Sequence, residues 1–210
     1  MYATDTPDFR GHGIIVTENF IPTAYQDTLE KLLLGVTFPV FFNPATINPA
    51  AYEMGAAFID KNTADCPRFT HEILMGGSAV SHCWPEFQAF LGQAVSTFGV
   101  ELEMVRCKVN LNYPIPGRLA GAYCPPHTDS NDPYYVAGIY YVNDSDGDTY
   151  FFESPPADGI TVSEELKVVG RVTPKKGNFV LFPSGAVHSA NPPTHTELRC
   201  VVNFGFRLVN

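Results

Sequence analysis

The chain has 210 residues, 45% apolar and 17% charged, a composition that can bury its own core and that excludes a disordered or fibrous chain. A formal net charge of −9 argues against nucleic acid as a partner held by broad contact with phosphate. Five cysteines, Cys66, Cys83, Cys107, Cys124 and Cys200, are odd in number and show no Cys-x-x-Cys spacing. Neither a disulfide framework nor a zinc module is therefore expected, and a reducing cytoplasm fits best. The N-terminal residues carry no basic region followed by an apolar run, and no stretch approaches about 18 consecutive apolar residues, so neither a signal peptide nor a membrane span is expected.

In chain order, residues 13–21 (GIIVTENFI) read as a short strand. Pro22 and Thr23 mark a boundary, and 24–35 place Leu29, Leu32, Leu33 and Leu34 near one helical face, with Gly35 as the stop. Residues 38–43 (FPVFFN) are apolar enough for a buried strand, and 43–55, rich in Asn, Pro and Ala, read as a loop. After an alternating stretch at 69–75, residues 85–99 carry Phe87, Phe90, Leu91, Ala94, Val95 and Phe98 at helical spacing and end at Gly99.

Beyond Gly99 the helical period gives way to short β-like runs. The stretch 101–113 alternates, with Val105, Cys107, Val109 and Leu111 on one face and Arg106, Lys108, Asn110 and Asn112 on the other, the latter either a solvated edge or a cavity wall. Further strands are expected at 135–143, 147–153, 166–174, 177–184 and 197–208. The expectation is a mainly β (α+β) fold, a double-stranded β-helix of the jelly-roll type with N-terminal helices packed outside. One domain spans 1–210, with helix-containing support over 1–100 and the jelly roll over 101–210.

The chemistry gathers late in the chain. His127 and Asp129 stand two apart, so on an extended segment an imidazole and a carboxylate point the same way. His188 follows the apolar run 177–187, and two imidazoles with one carboxylate form the facial triad of non-heme iron oxygenases. His195 is its nearby rival, in a Pro- and Thr-rich loop. Arg199 opens the last strand with a planar fork suited to a carboxylate, and Arg207 is the competing cation. The run NDSDGD at 143–148 departs from a calcium loop in its Gly position and lacks the closing Glu, so Asp146-Gly147 is read as a hairpin turn in which Gly accepts positive φ.

These residues resemble the Fe(II)- and 2-oxoglutarate-dependent oxygenases, in particular the prolyl-4-hydroxylase-like group and its phage and marine bacterial relatives. The resemblance rests on HTD at 127–129, IYYVNDSDGDTYFF at 139–152 and GNFVLFPSGAVHSANPPTHTELR at 177–199. It implies iron held by His127, Asp129 and His188, and 2-oxoglutarate bound through its distal carboxylate by Arg199 and Tyr141. Tyr113 and either Asn110 or Asn112 are implied as further cosubstrate contacts. Dioxygen would be consumed, with 2-oxoglutarate decarboxylated to succinate as a C–H bond is hydroxylated. Val201 stands where members often carry Ser or Thr, so one hydroxyl contact is missing.

The resemblance leaves the substrate open among small molecules and peptides, a peptidyl proline included, with the loops at 43–68 and 113–126 as its specificity elements. The alternative is a metal- or ligand-binding barrel without turnover, for which a dicarboxylate clamp at Arg199 and Tyr141 has no use. Nothing in the sequence specifies an oligomeric state.

Overall fold

The computed structural model of the protein describes residues 13–45, 62–64, 66–118, 122–153 and 166–209. Most of the Asn- and Pro-rich stretch expected as a loop, 46–55, lies outside them. The described strands are β1 Ile15–Thr17, β2 Phe41–Asn43, β3 Arg68–Met75, β4 Ser78–Ala79, β5 Leu102–Asn112, β6 Tyr135–Tyr141, β7 Thr149–Phe152, β8 Val168–Val172, β9 Phe179–Pro183, β10 His188–Ala190 and β11 Arg199–Leu208. The helices are α1 Thr23–Leu33 and α2 Ala89–Phe98. The larger sheet runs β1-β9-β6-β11-β5-β3-β2, with β4 on β3, and the smaller runs β10-β7-β8. All strand pairs are antiparallel.

Strand alternation gives the larger sheet two different faces. On β11, Cys200, Val202, Phe204 and Phe206 join a core with Leu29 and Leu33 of α1 and Phe90, Ala94 and Phe98 of α2. Val201 turns the other way and packs with Ile139, Tyr141, Val180 and Phe182 against Phe151 of the smaller sheet. The helices thus cover one face, the smaller sheet covers the other, and the polar residues of the second face are enclosed between sheets. Strands from the first 100 residues extend the larger sheet at both ends, β1 beside β9 and β3 beside β5.

Helix α1 buries Leu29 and Leu33, whereas Leu34, past the last turn, is exposed. Lys176 pairs with Asp27 and Glu30 at 2.6 Å each and fastens α1 to the turn before β9. At that turn Gly177 has φ +84°, and a Cβ would stand 2.3 Å from Gln26 Oε1, so both backbone conformation and space require glycine. Helix α2 is shorter than expected: Trp84–Phe87 form a 3-10 turn that buries Phe87 before the α-helix begins at Ala89. Gly99 ends the helix with φ 66°.

Three expectations are corrected. Residues 38–43 do not form a buried strand: β2 covers only Phe41–Asn43 at the end of the sheet of described strands, with Phe41 65% and Phe42 63% exposed, because no described strand covers its outer side. Strict alternation along β5 fails at Val105. The register with β11 slips between Gly205, opposite Arg106, and Phe206, opposite Met104, so both Met104 and Cys107 reach the core and Val105 is the bulge residue. Finally, Cys66 and Cys124 form a disulfide, which joins the segment before β3 to the segment before His127. An odd cysteine count left one bridge open, and Cys83, Cys107 and Cys200 are buried free thiols. No described helix is long and apolar enough to cross a membrane.

Candidate metal centre

The backbone brings His127 and His188 side by side before any side chain is considered. The segment approaching His127 runs along β10: Cys124 N–H donates to Ala190 O at 2.9 Å, and His127 and His188 exchange both backbone hydrogen bonds at 2.9 Å. Ser189 Oγ donates to Cys124 O. Asp129 N–H donates to Ser184 O at 2.9 Å, which turns the chain so that its carboxylate returns toward the two rings. His188 Nε2 lies 3.7 Å from Asp129 Oδ2, and the ring centroids are 4.5 Å apart. One ligand atom from each of His127, Asp129 and His188 lies within 4.8 Å of the others, so a small closing shift would let all three meet one ion.

The tautomers are fixed by backbone carbonyls, which only accept. His127 Nδ1 donates to Pro125 O at 3.1 Å and His188 Nδ1 to Ala186 O at 3.0 Å, so both Nε2 atoms keep their lone pairs for the space they share. Burial, reinforced by His188 beside it, pushes the His127 pKa down to about 3 and keeps that ring neutral. Loss of water around the partly exposed Asp129 opposes its ionisation, but the charges set around it, the Arg106 and Arg68 guanidinium groups among them, outweigh this and hold the carboxyl below its ordinary value. Phe182 lies edge-on to His188 at 4.8 Å and dries its inner side.

A cavity of about 210 Å³ opens from this cluster between the sheets. Arg199, 2% exposed, lines its inner end. Arg199 Nε donates to Gly147 O at 2.7 Å and Nη2 to Thr149 Oγ1 at 3.0 Å, and no carboxylate among the described residues forms an ion pair with it. Burial pulls its pKa down, as expected for a cation taken from water without a counter-ion. Tyr141 is fully buried behind it and donates its hydroxyl to Thr149 Oγ1 at 2.8 Å. Burial raises the Tyr141 pKa against the opposing pull of Arg199, so the phenol stays protonated and remains a donor. With two donors aimed at its oxygen, Thr149 has its own proton left to give.

The β5 residues expected as an edge or a wall form a wall: Arg106, Lys108 and Asn110 line the cavity. Asn110 is 2% exposed and its Oδ1 has no hydrogen-bond partner among the described residues, whereas Asn112, equally buried, stands opposite Arg199 in register and outside the lining. Tyr113 does not join them. It is 44% exposed and meets Phe69 edge-on at 5.9 Å, because alternation puts it on the face of Leu111 rather than that of Asn110. Sequence reading passed over Thr149, Asn203 and Arg68, all in the lining. Thr149 was legible only through its pairing with an arginine fifty residues away, and Arg68 carried no signal at all.

The DSDG turn differs from its expected form. Asp146 accepts hydrogen bonds from the backbone N–H of Thr194, His195 and Thr196 and from the hydroxyls of Thr194 and Thr196, so it anchors the loop that carries the rival His195. Gly147 is not in the positive-φ region. A Cβ there would stand 2.6 Å from Asn191 O and 2.9 Å from Arg199 Cδ, so glycine is needed for the close approach of Arg199.

No family model matches this sequence, and no curated protein matches it. Solved structures do. The non-heme α-ketoglutarate-dependent epimerase SnoN from nogalamycin biosynthesis is 14% identical, with a TM-score of 0.61 over 95% of this chain and 77% of its own. A Pseudomonas putida prolyl-4-hydroxylase is 19% identical, with a TM-score of 0.55 over 96% of each chain. HygX from Streptomyces hygroscopicus, solved with nickel, 2-oxoglutarate and hygromycin B, is 12% identical, with a TM-score of 0.53 over 95% of this chain and 84% of its own. At these identities the likeness is one of fold. The jelly-roll fold is what this chain shares with these enzymes.

Proposed function

We propose that this chain is an Fe(II)- and 2-oxoglutarate-dependent oxygenase that hydroxylates a C–H bond of a small-molecule or peptide substrate. The observation that carries the reading is Arg199, a buried guanidinium without a carboxylate partner among the described residues, lining the same cavity as His127, Asp129 and His188. A metal-binding barrel without turnover has no use for such a cation. Two imidazoles and one carboxylate are a donor set that would suit a divalent iron. Iron bound there would supply the activation of dioxygen that couples decarboxylation of 2-oxoglutarate to succinate with oxidation of the substrate.

The protein's own residues do the rest. His127 and His188 present lone pairs from rings oriented by backbone carbonyls, and Asp129 supplies the anionic ligand. Arg199 neutralises the distal carboxylate of 2-oxoglutarate, and the Tyr141 and Thr149 hydroxyls orient it. Thr149 takes the place of the hydroxyl missing at Val201, whose side chain packs instead with Ile139 and Tyr141. Asn110, with an unpartnered buried amide oxygen in the cavity wall, is the preferred asparagine beside the cosubstrate, and Tyr113 and Asn112 are left out.

The outcome assigned is hydroxylation. The prolyl-4-hydroxylase likeness supports it, and a peptidyl proline is one candidate substrate, while the epimerase of the same fold shows that the barrel alone does not set the product. The test is uncoupled turnover: iron-loaded protein in air should release succinate from 2-oxoglutarate, and His188→Ala should abolish it. Succinate release unchanged in His188→Ala would sink the assignment.

A further inference from the structure

The metal cluster and Arg199 account for only part of the cavity wall. Arg68 on β3 and Arg106 and Lys108 on β5 line the same space, so four of the thirteen basic residues of an acidic protein meet in one cavity. Arg106 and Arg68 act on Asp129 across it. Among the described residues, the carboxylate set against this group is Glu72, whose Oε1 takes Lys108 Nζ at 2.9 Å and Arg106 Nη2 at 3.8 Å. Its Oε2 is buried and has no hydrogen-bond partner among the described residues. One carboxylate is thus shared between two cations.

Charge counting shows what this leaves. In the site proposed above, ferrous iron, the Asp129 carboxylate, the 2-oxoglutarate dianion and the Arg199 guanidinium cancel. Among the described residues, Arg106 and Lys108 against Glu72 then leave one positive charge in excess. Lys108 is 8% exposed, and burial lowers its pKa, so this charge is held at a cost that a bound anion would relieve.

Position gives the group a use. A second hollow of about 310 Å³ adjoins the cavity, and Arg106, Asp129 and Asn203 line both. Arg106 therefore stands at the junction, its side chain 47% exposed, where a molecule entering from the second hollow reaches the metal cluster.

We infer that the substrate is a small molecule bearing an oxyanion, a carboxylate or a phosphate, which docks on Arg106 and Lys108 while the carbon to be oxidised faces the metal cluster. The inference rests on the oxygenase reading and adds the substrate's charge to it. An Arg fork beside a Lys ammonium holds either anion through charge-assisted hydrogen bonds. A neutral substrate would leave this charge without a partner among the described residues.

The test uses Zn(II)-loaded protein saturated with 2-oxoglutarate, with binding followed by saturation-transfer NMR. N-acetyl amino acids are compared with their carboxamides, and phosphoserine amide with serine amide, so that the two arms tell carboxylate from phosphate. In one arm the charged member should bind about tenfold tighter than its neutral counterpart. Arg106→Gln should bring it down to the neutral level, and Glu72→Gln, which frees Lys108, should tighten it. 2-Oxoglutarate affinity, measured in parallel, should stay within about twofold of the parent in Arg106→Gln.

Equal binding of charged and neutral members in both arms overturns the inference, as does weaker binding in Glu72→Gln. Loss of 2-oxoglutarate binding in Arg106→Gln overturns it too, because the basic wall would then seat the cosubstrate. Failure of the parent to bind 2-oxoglutarate, with charged ligands still sorted by Arg106, would overturn the oxygenase reading and leave the anion site standing.

Discussion

Arg199 concentrates the account at the residue scale. Its guanidinium is held by Gly147 O and Thr149 Oγ1 and lies 5.8 Å from the centre of the Tyr141 ring, so the fork is oriented in advance of any ligand. Arg199→Gln should weaken 2-oxoglutarate binding by about 1.5–3 kcal/mol, roughly ten- to a hundredfold, the worth of hydrogen bonds to a charged group. Calorimetric titration of the metal-loaded protein checks this, and a change below twofold would remove Arg199 from the clamp. Thr149→Val keeps the shape and removes the hydroxyl on which Arg199 and Tyr141 converge, so it should weaken the same binding by about 1 kcal/mol. The grouping of His127, Asp129 and His188 was legible, because a two-residue spacing and a strand-end histidine have consequences for direction. Thr149 was not, because its role depends on a register between sheets that no local pattern encodes.

At the scale of elements, the loop after β10 and the segment before His127 each hang on a small number of bonds. Asp146 gathers three backbone donors and two hydroxyls from 194–196, and burial, which opposes its ionisation, is outweighed by them. Its folded pKa lies below the ordinary value, so the stability it adds is present at neutral pH and fades as pH falls below about 4. Asp146→Asn should therefore lower Tm at pH 7 by a few degrees, for about 1 kcal/mol discounted for partial exposure, and the gap should narrow in acid. A gap independent of pH would deny the carboxylate that role. The Cys66–Cys124 bridge closes a separation of 58 residues and restrains the approach to His127. In denaturant the unreduced protein should titrate three thiols and the reduced protein five, and Cys66→Ser should cost about 2–4 kcal/mol in thermal unfolding. Sequence reading used cysteine parity and missed this bond, since parity speaks to a whole framework and not to one pair brought together by the fold.

Across the whole molecule, the sheet faces explain why the strands could be read and the cavity only in part. Period-2 alternation separated Cys107, Val109 and Leu111 from Lys108 and Asn110, and the structure turns the first set to the helices and the second into the cavity. Where a bulge intervenes at Val105, or a strand lies at a sheet end as β2 does, composition misled. Arg68 escaped notice because it reaches the cavity from a strand far earlier in the chain. A net charge of −9 likewise hides a basic interior, since the excess acid lies elsewhere and four cations turn inward.

The most direct measurement is anaerobic addition of Fe(II) and then 2-oxoglutarate to the metal-free protein, followed in the visible spectrum beside His188→Ala and Arg199→Ala. A weak charge-transfer band is expected in the parent, with its loss in His188→Ala and its recovery in Arg199→Ala only at much higher 2-oxoglutarate. Tight iron binding without the band, or a band indifferent to both substitutions, would contradict it.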